Sequence, residues 1–83
     1  MPFVYLVRCR DGSLYAGAAK NLDQRLAEHN AGRGARYTRA RLPVALAWSV
    51  ELPTWSDALR EEARIKKLRR AGKEALVVGV RSL

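Results

Sequence analysis

The sequence predicts a small α+β domain, a three-stranded antiparallel sheet flanked by helices. Three observations point to it. A β-branched and aromatic run is followed by an Asp-Gly turn signal. A later segment alternates large and small apolar residues. Two further segments of helical periodicity each begin at a side-chain cap. A chain of 83 residues has room for little more than one hydrophobic core, so residues 1–83 read as a single domain.

Residues 3–9, FVYLVRC, form the first predicted strand and LYAGAA the second, with Asp11-Gly12 between them. Loop length decides which side chains share a face. A two-residue turn at Asp11-Gly12 pairs Arg8 with Tyr15 and sends Tyr5 to the opposite face. A three-residue loop from Arg10 to Gly12, with Gly12 left-handed, pairs Val7 with Tyr15 and Tyr5 with Gly17. Both tyrosines then share a face, because side chains alternate with period two. The sequence leaves both registers open.

Residues 21–30, NLDQRLAEHN, read as a helix capped by Asn21, with Gln24 at the box position and Gly32 just past the end. Leu22 and Leu26 define its buried stripe. His29 falls within that stripe, and Arg25, one turn earlier, lies on its edge. Residues 31–43 form a Gly- and Arg-rich loop closed by Pro43. VALAWSVEL, residues 44–52, is the third predicted strand, with Val44, Leu46, Trp48, Val50 and Leu52 on one face. Thr54 opens the second helix with Asp57 at its box position. That helix is expected to run to Gly72, followed by a short turn at 73–76 and an apolar VVGV tail.

Charge narrows the function. Sixteen Lys and Arg against eight Asp and Glu give +8 and a pI near 10.6, a positive field that draws polyanions, so nucleic acid is the expected partner. Cys9 is the only cysteine, which rules out a disulfide within the chain and suits a reducing cytoplasm. No apolar run approaches the roughly 18 residues of a membrane span, and the N-terminal segment is too short for a signal peptide, so a cytoplasmic protein without membrane attachment is expected. Oligomeric state leaves no mark on the sequence.

The second helix carries an anomaly. At about 100° per residue, Glu62 falls inside the apolar stripe of Trp55, Ala58 and Ile65. A carboxylate aimed at a core is costly unless a positive charge meets it. Either Lys66, one turn on, pairs with it, or Glu62 faces a cleft and binds a cation. Several other chemistries are excluded. One histidine and one cysteine cannot build a zinc site, and GRGAR lacks the Gly-Lys-Ser/Thr of a P-loop. Trp48 and Trp55 read as packing residues. Arg33, Arg36, Tyr37, Arg39 and Arg41 suit a phosphate backbone with a stacked base as well as they suit a solvated loop.

Taken in order, Tyr5 in VYL, Tyr15 to Gly17 in YAG, Arg25 followed one turn later by His29, and Glu62 in REEARIKKL resemble the GIY-YIG nuclease family. With the segment NAGRGARYTRARLPVAL, the likeness is to its small stand-alone bacterial members and covers nearly the whole chain. Two positions depart from the family pattern. The lysine common after the second motif is replaced by Ala18 and Ala19, with Lys20 nearest, and no asparagine follows Asn30.

The resemblance implies a DNA endonuclease that uses one divalent ion, magnesium or manganese, held by Glu62, with repair or recombination as its setting. Arg25 is then expected at the scissile phosphate. Tyr5 is expected as the base with His29 beside it and Tyr15 positioning water or phosphate, the reversed roles being the alternative. A free phenol ionises near pH 10, so it needs the cation, Arg25 or Lys20 nearby, or a relay through His29. Lys20, the arginine-rich loop with Tyr37, and Lys66 are the expected nucleic-acid contacts. The rival expectation is a binding module of the same fold, catalytically weak or inactive.

Overall fold

The computed structural model describes residues 1–79. Strand β1 (Phe3–Arg8) is central and pairs antiparallel with β2 (Leu14–Ala19) on one side and β3 (Ala45–Glu51) on the other. The hairpin takes the three-residue loop. The Cys9 N–H donates to Ser13 O at 2.8 Å, Gly12 is left-handed at φ 87°, and the ladder sets Val7 opposite Tyr15 and Tyr5 opposite Gly17. Asp11 supports the turn by accepting from the Ser13 N–H and hydroxyl.

Both faces of the sheet are covered. Val4, Leu6, Leu14 and Ala16 pack with Ala58 and Ile65 on one face, and Tyr5, Val7, Cys9, Ala19 and Val44 form a second cluster on the other. Helix α1 (Leu22–Asn30) lays Leu22 and Leu26 on the second cluster, and Asn21 caps it by accepting from the Gln24 N–H. Asn30 clamps the start of β3, accepting from the Val44 N–H at 2.8 Å and donating to its carbonyl at 3.0 Å. Helix α3 (Trp55–Lys66), capped by Thr54 as expected, packs chiefly on β2, the edge strand.

Several expectations are corrected. The loop at 31–43 contains a short helix, α2 (Arg36–Arg39). Strand β3 does not keep one apolar face, because the register shifts opposite Leu6 and Val7, where Trp48 and Leu46 are their partners. A bulge of this kind reverses sidedness. Val44 therefore joins the second cluster, Trp48, Val50 and Leu52 pack on the first, and Leu46 is 43% exposed.

The second helix also ends earlier than expected. It stops at Lys66, and Arg69, in extended conformation, starts α4 (Arg70–Val78). A straight helix from 55 to 78 would carry Leu76 and Val77 past the sheet; the break returns both to the cluster that holds Ile65 and Leu68. Gly72 is thus no stop but a contact, since a β-carbon there would lie 3.3 Å from Leu68 Cβ. The expected turn at 73–76 is helical. Of the VVGV tail, Val77 and Val78 belong to α4, Gly79 caps it, and Val80 lies outside the described residues.

Candidate active site

The three-residue hairpin loop brings Tyr5 and Tyr15 to the sheet face that α1 covers, and α1 lowers His29 onto the same spot. The Tyr5 hydroxyl lies 2.8 Å from His29 Nε2, with Tyr5 1% and His29 0% exposed. The Tyr5 and Tyr15 rings both meet the imidazole edge-on, at centroid distances of 5.8 and 5.9 Å. Of the two tyrosines, Tyr5 is the one hydrogen-bonded to it.

On the far side of the imidazole, Nδ1 lies 2.9 Å from the Thr38 hydroxyl, which donates to the Ala35 carbonyl at 2.8 Å. Thr38 was not singled out in the sequence. It lies in α2, nine residues downstream of His29, and only the packing of that short helix against α1 brings it in.

Arg25 stands beside the Tyr5 phenol at the rim and donates to Glu28 at 3.1 Å. Burial raises the Tyr5 pKa above its ordinary value, and the Arg25 guanidinium opposes this without overcoming it. Of the routes open to the phenol, Arg25 does pull its pKa down, but burial outweighs it. His29 moves the other way: burial, with the Arg25 charge adding to it, lowers its pKa, so the ring stays neutral.

Glu62 pairs with Lys66 at 3.2 Å, the first of the two readings; its side chain is 19% exposed and its charge acts on Tyr5. Because α3 runs along the edge strand, Lys66 also reaches around it, with Nζ 5.6 Å from the centre of the Tyr15 ring. Tyr15 stacks on Tyr37 at 5.7 Å, and Arg41 lies over the outer face of Tyr37 at 3.8 Å, held by Asp11 at 3.0 Å. The predicted residues Arg25, His29, Tyr5, Tyr15, Glu62 and Lys66 thus converge. Arg33, Arg36 and Arg39 are exposed, and none forms an ion pair among the described residues.

Lys20 sits apart from the phenol, with Nζ 5.4 Å from the centre of the Trp55 ring. Together with Arg25, Gln24 and Ala19 they line an open groove of about 380 Å³ that leads from the Arg25 side of the cluster. Trp55 is 37% exposed in this groove and is not the packing residue expected. A hollow of about 510 Å³ lies at Arg10, Asp11, Ala40 and Arg41, on the outer side of the Tyr37 stack.

Among the described residues no three His, Cys, Asp or Glu side chains come together as a metal cage. Among the described residues, Glu62 is the carboxylate whose charge acts on Tyr5. A lone carboxylate is a hard oxygen donor of the kind that magnesium or manganese take alongside waters and substrate oxygens, and it is not the nitrogen and sulfur set that zinc prefers. No helix among the described residues is long and apolar enough to cross a membrane.

Residues 1–75 match the family model described as the GIY-YIG catalytic domain. The chain is 50% identical over 76 residues to a UPF0213 protein of Halobacterium salinarum, covering 92% of this chain and 99% of that one. It is 48% identical to a UPF0213 protein of Bacillus licheniformis, covering 90% and 77%. A solution NMR structure of a UPF0213 protein from Bacillus halodurans superimposes with a TM-score of 0.60 at 40% identity, covering 94% of this chain and 84% of that chain.

Proposed function

This chain belongs to the GIY-YIG family, a family of nucleases, and on that premise we propose that it is a divalent-metal-dependent endonuclease hydrolysing phosphodiester bonds in DNA. The observation that carries the reading is the Tyr5–His29 pair, a buried phenol with a neutral imidazole 2.8 Å from its oxygen, at the base of a basic rim. A small basic domain of this kind suits branched or flapped DNA of the sort made in repair and recombination, where an open groove and charge replace a separate recognition module. Action on soluble DNA in the cytoplasm is part of this reading.

Glu62 would hold magnesium or manganese, which when bound supplies charge against the phosphate oxygens and acidifies water. Arg25 binds the scissile phosphate, its fork matching two nonbridging oxygens and its Glu28 partner keeping it at the rim. Tyr5 is the base. A phenol raised by burial does not ionise by itself at neutral pH, so its proton moves to His29 Nε2 as the phenolic oxygen takes a proton from the attacking water. The two transfers leave Tyr5 neutral and His29 charged, and no free phenolate has to persist. Tyr15, held between Lys66 and Tyr37, orients water or phosphate. Lys20, Arg33, Arg36, Tyr37, Arg39, Arg41 and Lys66 carry the flanking strand.

A panel of branched, flapped and linear DNAs with magnesium or manganese tests this, run beside Glu62→Ala. Cleavage should appear in the wild type and vanish in the variant, while DNA binding persists. Cleavage that survives Glu62→Ala removes the metal assignment. Salt-sensitive binding with no cleavage of any substrate under either metal identifies the binding module instead.

A further inference from the structure

The imidazole between Tyr5 and Thr38 has two nitrogens and, when neutral, one hydrogen. Which nitrogen carries it decides whether His29 accepts from Tyr5 or donates to it. The surroundings answer this without reference to any substrate.

The Ala35 carbonyl has no hydrogen to give. It accepts the Thr38 and Arg39 backbone N–H groups at 3.1 Å each, and the Thr38 hydroxyl approaches it at 2.8 Å. If the Thr38 hydrogen pointed elsewhere, two oxygen lone pairs would face each other at that distance. The hydroxyl therefore donates to Ala35, a bond that threonine commonly makes to the carbonyl three residues back. Its oxygen is left to accept from His29 Nδ1 at 2.9 Å, so Nδ1 carries the hydrogen. Nε2 is then a bare acceptor, and the Tyr5 hydroxyl at 2.8 Å must donate to it.

The hydrogen bonds run one way from Tyr5 through His29 and Thr38 to the Ala35 backbone. Among the described residues no buried side-chain polar atom lacks a partner, so the opposite orientation would gain nothing in exchange for its lone-pair clash. Gly34 closes the ring in from the same loop, since a β-carbon there would lie 2.2 Å from Nδ1.

We propose that Thr38 is a positioning residue: it fixes His29 as the Nδ1–H tautomer, with Nε2 aimed at the Tyr5 hydroxyl and ready to take its proton. The proposal rests on the nuclease reading for its consequence, but the tautomer itself does not depend on catalysis. When Nε2 gains the phenolic hydrogen, the O–H bond of Tyr5 breaks and an N–H bond forms. The resulting imidazolium keeps its Nδ1–H on Thr38, so no further donor or acceptor is needed. Removing the hydroxyl would leave the ring free to take the Nε2–H form, which turns a donor toward Tyr5 and blocks the transfer.

His29 is the only histidine, so the ring nitrogens give a single-residue signature in two-bond proton–nitrogen NMR spectra of the whole protein. The wild type should show a pyrrole-type Nδ1 and a pyridine-type Nε2. Thr38→Val, of nearly equal shape, should lose that pattern and lower kcat roughly ten- to hundredfold with KM little changed. Thr38→Ser should restore both, which separates the hydroxyl from packing. A pyridine-type Nδ1 in the wild type, or Thr38→Val protein that keeps both pattern and rate, overturns the proposal. The two readings fail separately. A wild type with the expected ring pattern but no cleavage of any DNA refutes the nuclease reading, whereas an active enzyme with the opposite pattern refutes the role of Thr38.

Discussion

Tyr5 and Gly17 oppose each other across the β1–β2 ladder, and a β-carbon on Gly17 would stand 2.4 Å from the phenolic oxygen and 2.5 Å from Cζ. The hydroxyl that reaches His29 occupies the place of a missing side chain on the next strand. The glycine of the Tyr15-Ala16-Gly17 segment therefore has a steric reason that has nothing to do with backbone conformation, because its φ is not positive.

Gly17→Ala should accordingly damage the site more than the fold. Tyr5 is 1% exposed and has no free space to swing into, so the ring or the strand must shift by a large fraction of an ångström. Overpacking of this kind costs about 1–3 kcal/mol. Loss of alignment between phenol and imidazole should lower cleavage roughly a hundredfold. Thermal melts and single-turnover cleavage check the pair of effects. Full activity in Gly17→Ala would contradict the observed register.

The depressed basicity of His29 makes stability acid-sensitive. Its folded pKa lies below the ordinary 6.5, mainly through burial, so the unfolded chain binds more protons than the native one once pH falls toward that value. Stability contributed by the neutral ring is complete above 6.5 and declines as pH falls below it, until the folded ring itself protonates. In His29→Gln the decline between pH 6.5 and 5 should flatten, above the range where carboxylates titrate. Denaturant melts at half-unit pH steps read this directly, and equal slopes in both proteins would refute it.

Tyr5→Phe removes the donor to Nε2 and leaves a buried acceptor unpaired, at a cost of about 1–3 kcal/mol. Cleavage should fall roughly hundredfold, as for loss of a general base. Tyr15→Phe should fall less, because the Tyr15 ring meets His29 only edge-on and keeps its stacking on Tyr37. If Tyr15→Phe is the more damaging variant, the roles of the two phenols are reversed.

The parts of this arrangement that follow local rules were legible in the sequence. Asn21 and Thr54 cap their helices because a short polar side chain there meets an orphan N–H, and the inward Glu62 was visible from helical periodicity alone. The parts that depend on distant partners were not. The bulge in β3 answers to the two cores it must serve at once. The break after Lys66 has no Gly or Pro to mark it and is set by where Leu76 and Val77 find apolar contacts. Thr38 is an ordinary loop threonine until α2 folds against α1.

The return of α4 depends on a polar clasp that should be measurable by itself. Arg8 meets both carboxylate oxygens of Glu74 and also donates to Gly12 O, while Arg70 donates to the same carbonyl at 3.1 Å. Arg8 chiefly holds the Glu74 carboxyl below its ordinary 4.5, so this contribution is present above that value and is lost as pH falls through it to the folded pKa. Glu74→Gln should lower Tm by a few degrees at neutral pH and by less at pH 3. Cleavage should change little, since none of these groups touches the Tyr5 cluster. An undiminished Tm at neutral pH would remove the clasp from the account.

Binding to DNA should depend on salt through particular arginines. Arg36 and Arg39 stand exposed with no ion pair among the described residues, so each is free to displace a counterion from a phosphate. Arg36→Ala and Arg39→Ala should each reduce the slope of log affinity against log salt by about 1. Arg41 differs. Asp11 already offsets its charge, and its guanidinium is committed to the face of Tyr37 and to the Tyr37 carbonyl. Arg41→Ala should leave the slope nearly unchanged while weakening binding through the loss of an ordered Tyr37. Fluorescence anisotropy with a labelled branched DNA at several salt concentrations distinguishes the two behaviours. A slope change in Arg41→Ala equal to that in Arg36→Ala would show that the Asp11 pair opens on binding, making Arg41 a phosphate contact like its neighbours.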